Sequence, residues 1–366
     1  MTTARSGPLW RRILWPSVLI VSLLLALIVG LRLALPALHL PPASTPAALS
    51  HHSPACVGES CALGAGVSGV RLFVEPNDGA QPITTAIAAA AHSVWVEVYL
   101  LTDARVISAL EEAAQRGVDV RVMLDEHPYG GDVVSPQRTL QTLTTAGIQA
   151  RFANPAYRYT HTKMLIVDGA TLFILTANLS RSGLGGSSFA RNREYGVIDT
   201  HADDVAEAMA IFQADWNHTT PVLHDTNMVV SPVNARAKIT ALLQSARTSL
   251  LIEDEEMYDT ASEDALIAAV RRGVQVRLIL PDASLVETAD VTRLKAGGVY
   301  MEYVSAPYAH AKVIVADGRL AFVGSENFSQ ASLDENREVG LLLADPAALA
   351  TITTTFDRDW MVGQPA

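Results

Sequence analysis

Apolar residues are distributed along this 366-residue chain in two distinct ways. From Ile13 to Leu31 they form an uncharged run of 19 residues, close to the roughly 20 that a helix needs to cross a bilayer. Beyond residue 66 they fall into short runs of strand length, separated by Ala-rich stretches whose apolar positions recur at helical spacing. VWVEVYL at 94–100 and SLLIEDE at 249–255 read as strands. Each leads into an amphipathic helix and then into RGVDVRVMLDE at 116–126 or RGVQVRLILPD at 272–282, a helix end followed by a buried strand. AGIQARF at 146–152 and AGGVYMEYV at 296–304 supply one more strand each. Strands alternating with helices in this order imply α/β units with a parallel component.

The two series of elements are copies of one another, and the copies continue downstream. HTKMLIVDG at 161–169 matches HAKVIVADG at 310–318, LTANLS at 175–180 matches GSENFS at 324–329, and NREYG at 192–196 matches NREVG at 336–340. The boundary between the halves falls near 220–230, giving a first half over 67–222 and a second over 223–366. Residues 36–66, rich in Pro, Ala, Ser and His and without periodicity, read as an extended linker.

Charge sets the orientation of the apolar run. Arg5, Arg11 and Arg12 precede it and only Arg32 closely follows, which places residues 1–12 in the cytoplasm, a single-pass anchor at 13–35, and the remainder outside. A cleaved signal peptide is the alternative, with Ala34, Ala37 and Ala43 near candidate cleavage sites; the length of the run favours the anchor. Cys56 and Cys61, the only cysteines, lie in the linker, where export would permit a small disulfide loop. After residue 40 the chain carries 23 basic against 38 acidic side chains, a balance that opposes non-specific binding to nucleic acid. Lys occurs only at 163, 238, 295 and 312, and two of these four sit in the repeated motifs.

In HTKMLIVD the His and Lys are two apart on a strand, so both project from one face. A two-residue turn centred on Gly169-Ala170 would pair Asp168 with Thr171, setting His161 opposite Asn178 and Lys163 opposite Thr176. The same register around Gly318-Arg319 sets His310 opposite Asn327 and Lys312 opposite Ser325. Each hairpin thus presents an imidazole, an ammonium, a hydroxyl and an amide. Asp168 and Asp317 lie roughly 20 Å along the strand on the opposite face, at about 3.3 Å per residue, where a turn-holding role is expected. The acidic run Glu253 to Glu256 reads as a solvated strand end, with binding of a cation or a substrate amine as the alternative, and Tyr157, Tyr159 and Tyr308 as pocket or packing aromatics.

The doubled H-x-K-x4-D followed by S/T-x-N resembles the signature of the phospholipase D superfamily, over about 300 residues from near Val70 onward. The resemblance implies two α/β/α halves, mixed sheets flanked by helices, related by a pseudo-twofold axis, with His161 and His310 on opposite sides of one phosphodiester. One neutral imidazole would attack phosphorus and one protonated imidazole would release the leaving oxygen. The phosphohistidine would then be resolved by water or an alcohol. The resemblance assigns the nucleophile to His161 and the acid to His310, a choice the near-symmetrical sequence does not itself make. It further implies that Lys163, Lys312, Asn178 and Asn327 bind the phosphate oxygens without a metal or other cofactor, with Thr176 and Ser325 as further substrate contacts. Glu194 and Glu338 match the family's carboxylate that holds the second imidazole nitrogen, and RSGLGGSSFAR at 181–191 is a candidate lip of the site. An anchored, acidic domain of this kind points to phospholipid in a membrane as substrate, with a single-strand nuclease or a catalytically silent scaffold as the alternatives.

Overall fold

Residues 71–199 build one mixed sheet and residues 228–365 a second, and the two repeat a single strand order. The computed structural model describes residues 61–129, 135–283 and 287–366. The expected cytoplasmic segment, the anchor at 13–35 and the linker up to residue 60, with Cys56, lie outside the described residues. Among the described residues no helix is long and apolar enough to cross a membrane. Cys61 is disulfide-bonded, and the chain is already docked at Gly66, whose N–H donates to Asn227 Oδ1 at 3.0 Å.

In the first half β1 (Arg71–Glu75), β2 (Ser93–Val98), β3 (Asp119–Leu124), β4 (Gln149–Phe152), β5 (Lys163–Val167), β6 (Thr171–Leu175) and β7 (Asn192–Asp199) take the order β1-β7-β6-β5-β2-β3-β4. Helices α1 (Gln81–Ala89), α2 (Ala104–Gln115) and α3 (Pro136–Thr145) connect the strands up to β4, and α4 (Ala202–Trp216) follows β7. The second half contains β8 (Met228–Ser231), β9 (Ser249–Asp254), β10 (Gln275–Leu280), β11 (Tyr300–Tyr303), the short β12 (Tyr308–Ala309), β13 (Lys312–Ala316), β14 (Leu320–Gly324), β15 (Glu338–Leu343) and β16 (Gln364–Pro365). Its order is β8-β15-β14-β13-β9-β10-β11-β16, with helices α5 (Ala235–Ser245), α6 (Thr260–Arg271), α7 (Thr288–Ala296), α8 (Gln330–Asp334) and α9 (Pro346–Val362). In both halves three strands run parallel and the hairpins on their flank are antiparallel. The edge strands β1 and β8 have no counterpart among the repeated strings of the sequence.

Local chemistry explains the parallel units. Asp103 accepts from Arg105 N–H at the start of α2, and Asp259 accepts from Ser262 N–H at the start of α6, as N-caps do. The two helices end at Arg116 and Arg272, after which Gly117 and Gly273 take φ of 88° and 90°, a left-handed conformation costly for residues with a Cβ. On the sheets, alternate residues face alternate cores. Leu165, Val167, Phe173 and Leu175 pack with α1, α2 and α3, while Met164, Ile166, Leu172 and Ile174 enter a central core that also contains Val313, Val315, Val323 and Leu341 of the second half. Both faces of each sheet are therefore covered, which is why its strands read as nearly continuous apolar runs.

The two hairpins that carry the repeated motifs differ from the expected register. Val167 pairs with Thr171 and Ala316 with Leu320, so each loop holds three residues. Asp168 and Asp317 both adopt φ of 54°, followed by Gly169 and Gly318 at 59° and 63°. The cause is the carboxylate. Asp168 accepts hydrogen bonds from the N–H groups of Ala91, His92 and Ser93, and Asp317 from those of Arg247, Thr248 and Ser249, which draws each Asp out of its strand and ties the hairpin to the start of β2 or β9. Those bonds outweigh burial and hold both carboxyls below the usual range, Asp317 at about 2. The pairings expected for His161, Lys163, His310 and Lys312 are accordingly displaced by one residue.

Contacts between the halves are reciprocal. Arg193 of β7 reaches Asp359 of α9 at 2.9 Å and also donates to Glu75 O; Arg337 of the second half lies 2.9 Å from Asp215 of α4 and donates to Ser231 O. All four ion-pair partners are buried. Within each half, Trp95 stacks on Phe212 at 5.1 Å and Phe356 on Trp360 at 5.7 Å. Removing one member of such a pair strands the other charge. Arg193→Ala is expected to destabilise the protein by about 3–5 kcal/mol in urea unfolding, and Arg193→Ala with Asp359→Ala by less than the sum of the single effects.

Candidate active site

Each repeated histidine belongs to one half and is held by the other. Thr160 forms a bridge with Arg337, His161 N–H donates to Arg337 O at 2.8 Å, and His161 Nδ1 lies 2.8 Å from Glu338 Oε2. In the opposite sense β12 pairs with β7, His310 N–H donates to Arg193 O at 3.3 Å, and His310 Nδ1 lies 2.6 Å from Glu194 Oε1. A carboxylate only accepts, so each Nδ1 carries a hydrogen and Nε2 is left for chemistry. The glutamates are themselves fixed. Asn192 Nδ2 and Thr176 Oγ1 donate to Glu194 at 3.0 and 2.6 Å, and Asn336 Nδ2 and Ser332 Oγ donate to Glu338 at 3.0 and 2.7 Å. Asn192 and Asn336 were not singled out in the sequence, although their spacing of two from each glutamate on one strand face was the available signal.

His161 and His310 line a single cavity of about 460 Å³, together with Asn178, Asn327, Tyr99 and Glu255. The amide oxygens of Asn178 and Asn327 are buried there without a hydrogen-bond partner among the described residues. Lys163 and Lys312 are fully buried beneath it, each donating to the carbonyl of the histidine two residues earlier, at 2.7 and 2.5 Å. Thr176 and Ser325 are not brought to the cavity. With the register displaced by one, Thr176 braces Glu194, and Ser325 Oγ takes a hydrogen bond from Val339 N–H at 3.0 Å. The loop 181–191 is not part of the cavity lining either; Arg181 closes it on Gly186 O.

The acidic run is not a solvated strand end. β9 is central in a sheet covered on both faces, so Glu253 and Asp254 are buried, and Tyr195 OH donates to Glu253 at 3.2 Å. Burial pushes Glu253 up to about 8. Glu255 enters the cavity, with Oε2 3.1 Å from His310 Nε2 and 3.0 Å from Lys312 Nζ. Of the tyrosines, Tyr159 lines the cavity, Tyr308 OH donates to Glu255, and Tyr157 OH accepts from Arg337.

Electrostatics divide the two otherwise matching halves. Burial lowers His161 below the usual imidazole range, with Glu338 opposing it. Burial lowers Lys163 to about 7, whereas at Lys312 the carboxylates of Glu255 and Glu194 overcome burial and raise it. Burial would raise Glu255, but His310 and Lys312 hold it at about 2, ionised throughout the neutral range. A possible metal-ligating group, Asp199, His201 and Asp204, has ligand atoms within 4.8 Å of one another. His201 and Asp204 line a separate groove of about 880 Å³ that contains none of the repeated motif residues.

The family described as "Cardiolipin synthase, PLD-like domain" matches residues 83–216 and 239–360. A probable cardiolipin synthase of Bacillus subtilis is 24% identical over 332 residues, covering 80% of this chain and 66% of the relative. A cardiolipin synthase of Halalkalibacterium halodurans is 25% identical over 326 residues, covering 76% and 63%. The chain thus spans a little under two thirds of the length of these two relatives. In fold it is similar to a phosphatidylserine synthase of Haemophilus influenzae, at a TM-score of 0.62 and 11% identity, over 85% of this chain and 88% of that one.

Lys163 provides a test of the electrostatics. Its ammonium, ordinarily lost near 10.5, is lost here as pH rises through about 7. Sulfate, whose charge does not change between pH 6 and 9, is expected to bind more weakly above pH 7, by up to tenfold per pH unit in calorimetric titration. Lys163→Met is expected to lower sulfate affinity and flatten that dependence.

Proposed function

The chain belongs to the phospholipase D superfamily, and from that premise we propose that it is a phosphodiesterase and phosphatidyltransferase acting on phospholipid through a phosphohistidine. The observation that carries the reading is the pair of imidazoles in one cavity, each with Nδ1 held by a carboxylate of the opposite half. That arrangement prepares Nε2 of one ring to attack and Nε2 of the other to give a proton.

The differences between the halves support an assignment of the roles. His161, lowered by burial, offers a neutral Nε2 lone pair and serves as nucleophile. His310 faces a carboxylate at each nitrogen, and satisfying both requires a hydrogen on each, the state of a general acid. His161 Nε2 forms a bond to phosphorus as the bond from phosphorus to the leaving oxygen breaks, and that oxygen takes the proton from His310 Nε2. Water or an alcohol then gives its proton to His310, and its oxygen displaces His161 from phosphorus. Lys163, Lys312 and the amides of Asn178 and Asn327 stabilise the charge on the non-bridging oxygens throughout.

The cardiolipin synthases it resembles support phospholipid as the substrate, and the segment 13–35 would tether the domain to the bilayer that holds it. The test is to incubate the protein with phospholipid vesicles and ethanol and to look for phosphatidylethanol by mass spectrometry. Wild type is expected to form it and His161→Ala to form none. Glu338→Gln, which leaves the tautomer of His161 unguided, is expected to lose activity on the order of 10²–10⁴-fold. A protein that leaves lipid intact while degrading single-stranded DNA would replace this reading with a nuclease.

A further inference from the structure

Away from the two-histidine cavity, the halves differ where the helix after the last motif strand begins. At the start of α9, Asp345 accepts from the N–H groups of Ala347, Ala348 and Gly69, so its carboxylate is engaged in capping. At the start of α4 the N-cap residue is His201, whose side chain makes no capping bond. Carboxyls stand on both sides of it, Asp199 at the end of β7 and Asp204 in the first turn of α4. One ligand atom from each of Asp199, His201 and Asp204 lies within 4.8 Å of the others.

The hydrogen bonds of this group do not close. Asp199 is fully buried; its Oδ1 accepts from His201 N–H at 3.0 Å and lies 2.7 Å from His201 Nδ1, but Oδ2 has no donor among the described residues. Asp204, also buried, touches the carboxyls of both Asp199 and Asp225. Asp225 reaches it from the segment before β8, held there by the N–H groups of Asn227 and Met228. Among the described residues no Lys or Arg pairs with Asp199 or Asp204. Lys238, the ammonium of this region, donates to Thr226 O and Met228 O, and its charge acts on Asp225 and Glu207.

A buried carboxylate oxygen is costly unless a donor or a metal ion meets it, and what meets Asp199 Oδ2 is another carboxyl. One shared proton can join two carboxyls, but three converge here. His201, Asp204 and Asp225 also line the groove of about 880 Å³, which leaves room for water to complete the shell of an ion. The group offers carboxylate oxygens, one imidazole and no thiolate, a set suited to Ca²⁺, Mg²⁺ or Mn²⁺ rather than to zinc.

We propose that Asp199, Asp204 and Asp225 bind one hard divalent cation in this groove, with His201 at its rim. The ion ties the end of β7 and the first turn of α4 to the segment that leads into β8, and so fixes the connection between the halves. It takes no part in the phosphatidyl transfer proposed above, and neither reading depends on the other.

The experiment strips the full-length protein with EDTA and titrates it with Mn²⁺, reading the free ion by electron paramagnetic resonance, with Ca²⁺ and Mg²⁺ as competitors. The thermal midpoint is measured in EDTA and in each ion. Wild type is expected to bind one Mn²⁺ per chain and to gain several degrees at about 100 times the dissociation constant. Asp204→Asn and Asp225→Asn are each expected to weaken binding at least tenfold and to lose that gain. In EDTA, Asp204→Asn is expected to unfold no earlier than wild type, because a contact between like charges has been removed, and that transition also shows the variant to be folded. Asp225 is only half-buried, so its Asn variant tests the site with the least disturbance of the core. Glu256→Gln, in the two-histidine cavity, is expected to bind the ion as wild type does. Wild type without saturable binding overturns the proposal, and so does binding that survives both aspartate substitutions. Binding lost in Glu256→Gln overturns it as well, since the ion would then belong to the other cavity.

Discussion

The crossed contact between each histidine and the opposite half's glutamate is the constraint on which the site depends. It is part of one device, the Asn-Arg-Glu string at 192–194 and 336–338. The asparagine amide fixes the glutamate, and the glutamate fixes Nδ1 of the other half's histidine. The arginine carbonyl receives that histidine's backbone N–H, and the arginine side chain pairs with a buried aspartate of the opposite half's last helix. Neither half can orient its own imidazole. The candidate chemistry therefore exists only in the assembled pair, and the buried charges have a reason to persist that hydrophobic replacements of equal stability would not satisfy.

Duplication supplies the symmetry that an in-line displacement can use, but two identical imidazoles would be indifferent to direction. Here the symmetry is broken by groups outside the repeated motif. Tyr99 beside His161 contributes an aromatic edge and no charge, while Glu255 beside His310 and Lys312 contributes a carboxylate. As a result Lys163 and Lys312, equivalent in the repeated motif, shift in opposite directions. Low dielectric amplifies the effect of a single buried charge, so a carboxylate on one side of the cavity is enough to give the two halves different electrostatics.

A similar economy appears at the other end of the motif strands. Asp168 and Asp317 are far from the cavity, yet their carboxylates gather three N–H groups apiece at the start of the neighbouring strand. They lock β5 to β2 and β13 to β9, the strands whose ends deliver His161, Tyr99, His310 and Glu255. A site whose reacting groups are held by hydrogen bonds of fixed length depends on that alignment, because an error of about 1 Å weakens catalysis by as much as 10²-fold.

The sequence by itself made legible the α/β class and the duplication, because these follow from local periodicity and from strings that recur, and the family resemblance those strings carry named both histidines, lysines, asparagines and glutamates as candidates. It was silent or misleading wherever a side chain answers to a partner distant in the chain. The hairpin register moved by one residue because Asp168 and Asp317 bind backbone some 70 residues away, and Thr176 and Ser325 were lost from the cavity with it. The crossing of the glutamates and the burial of Glu253 depend on how the halves dock and on which strand becomes central. Glu255 shows the limit most directly. An acidic residue at a strand end is solvated by default, and only packing against His310 and Lys312, contacts decided by tertiary structure, makes it part of the site.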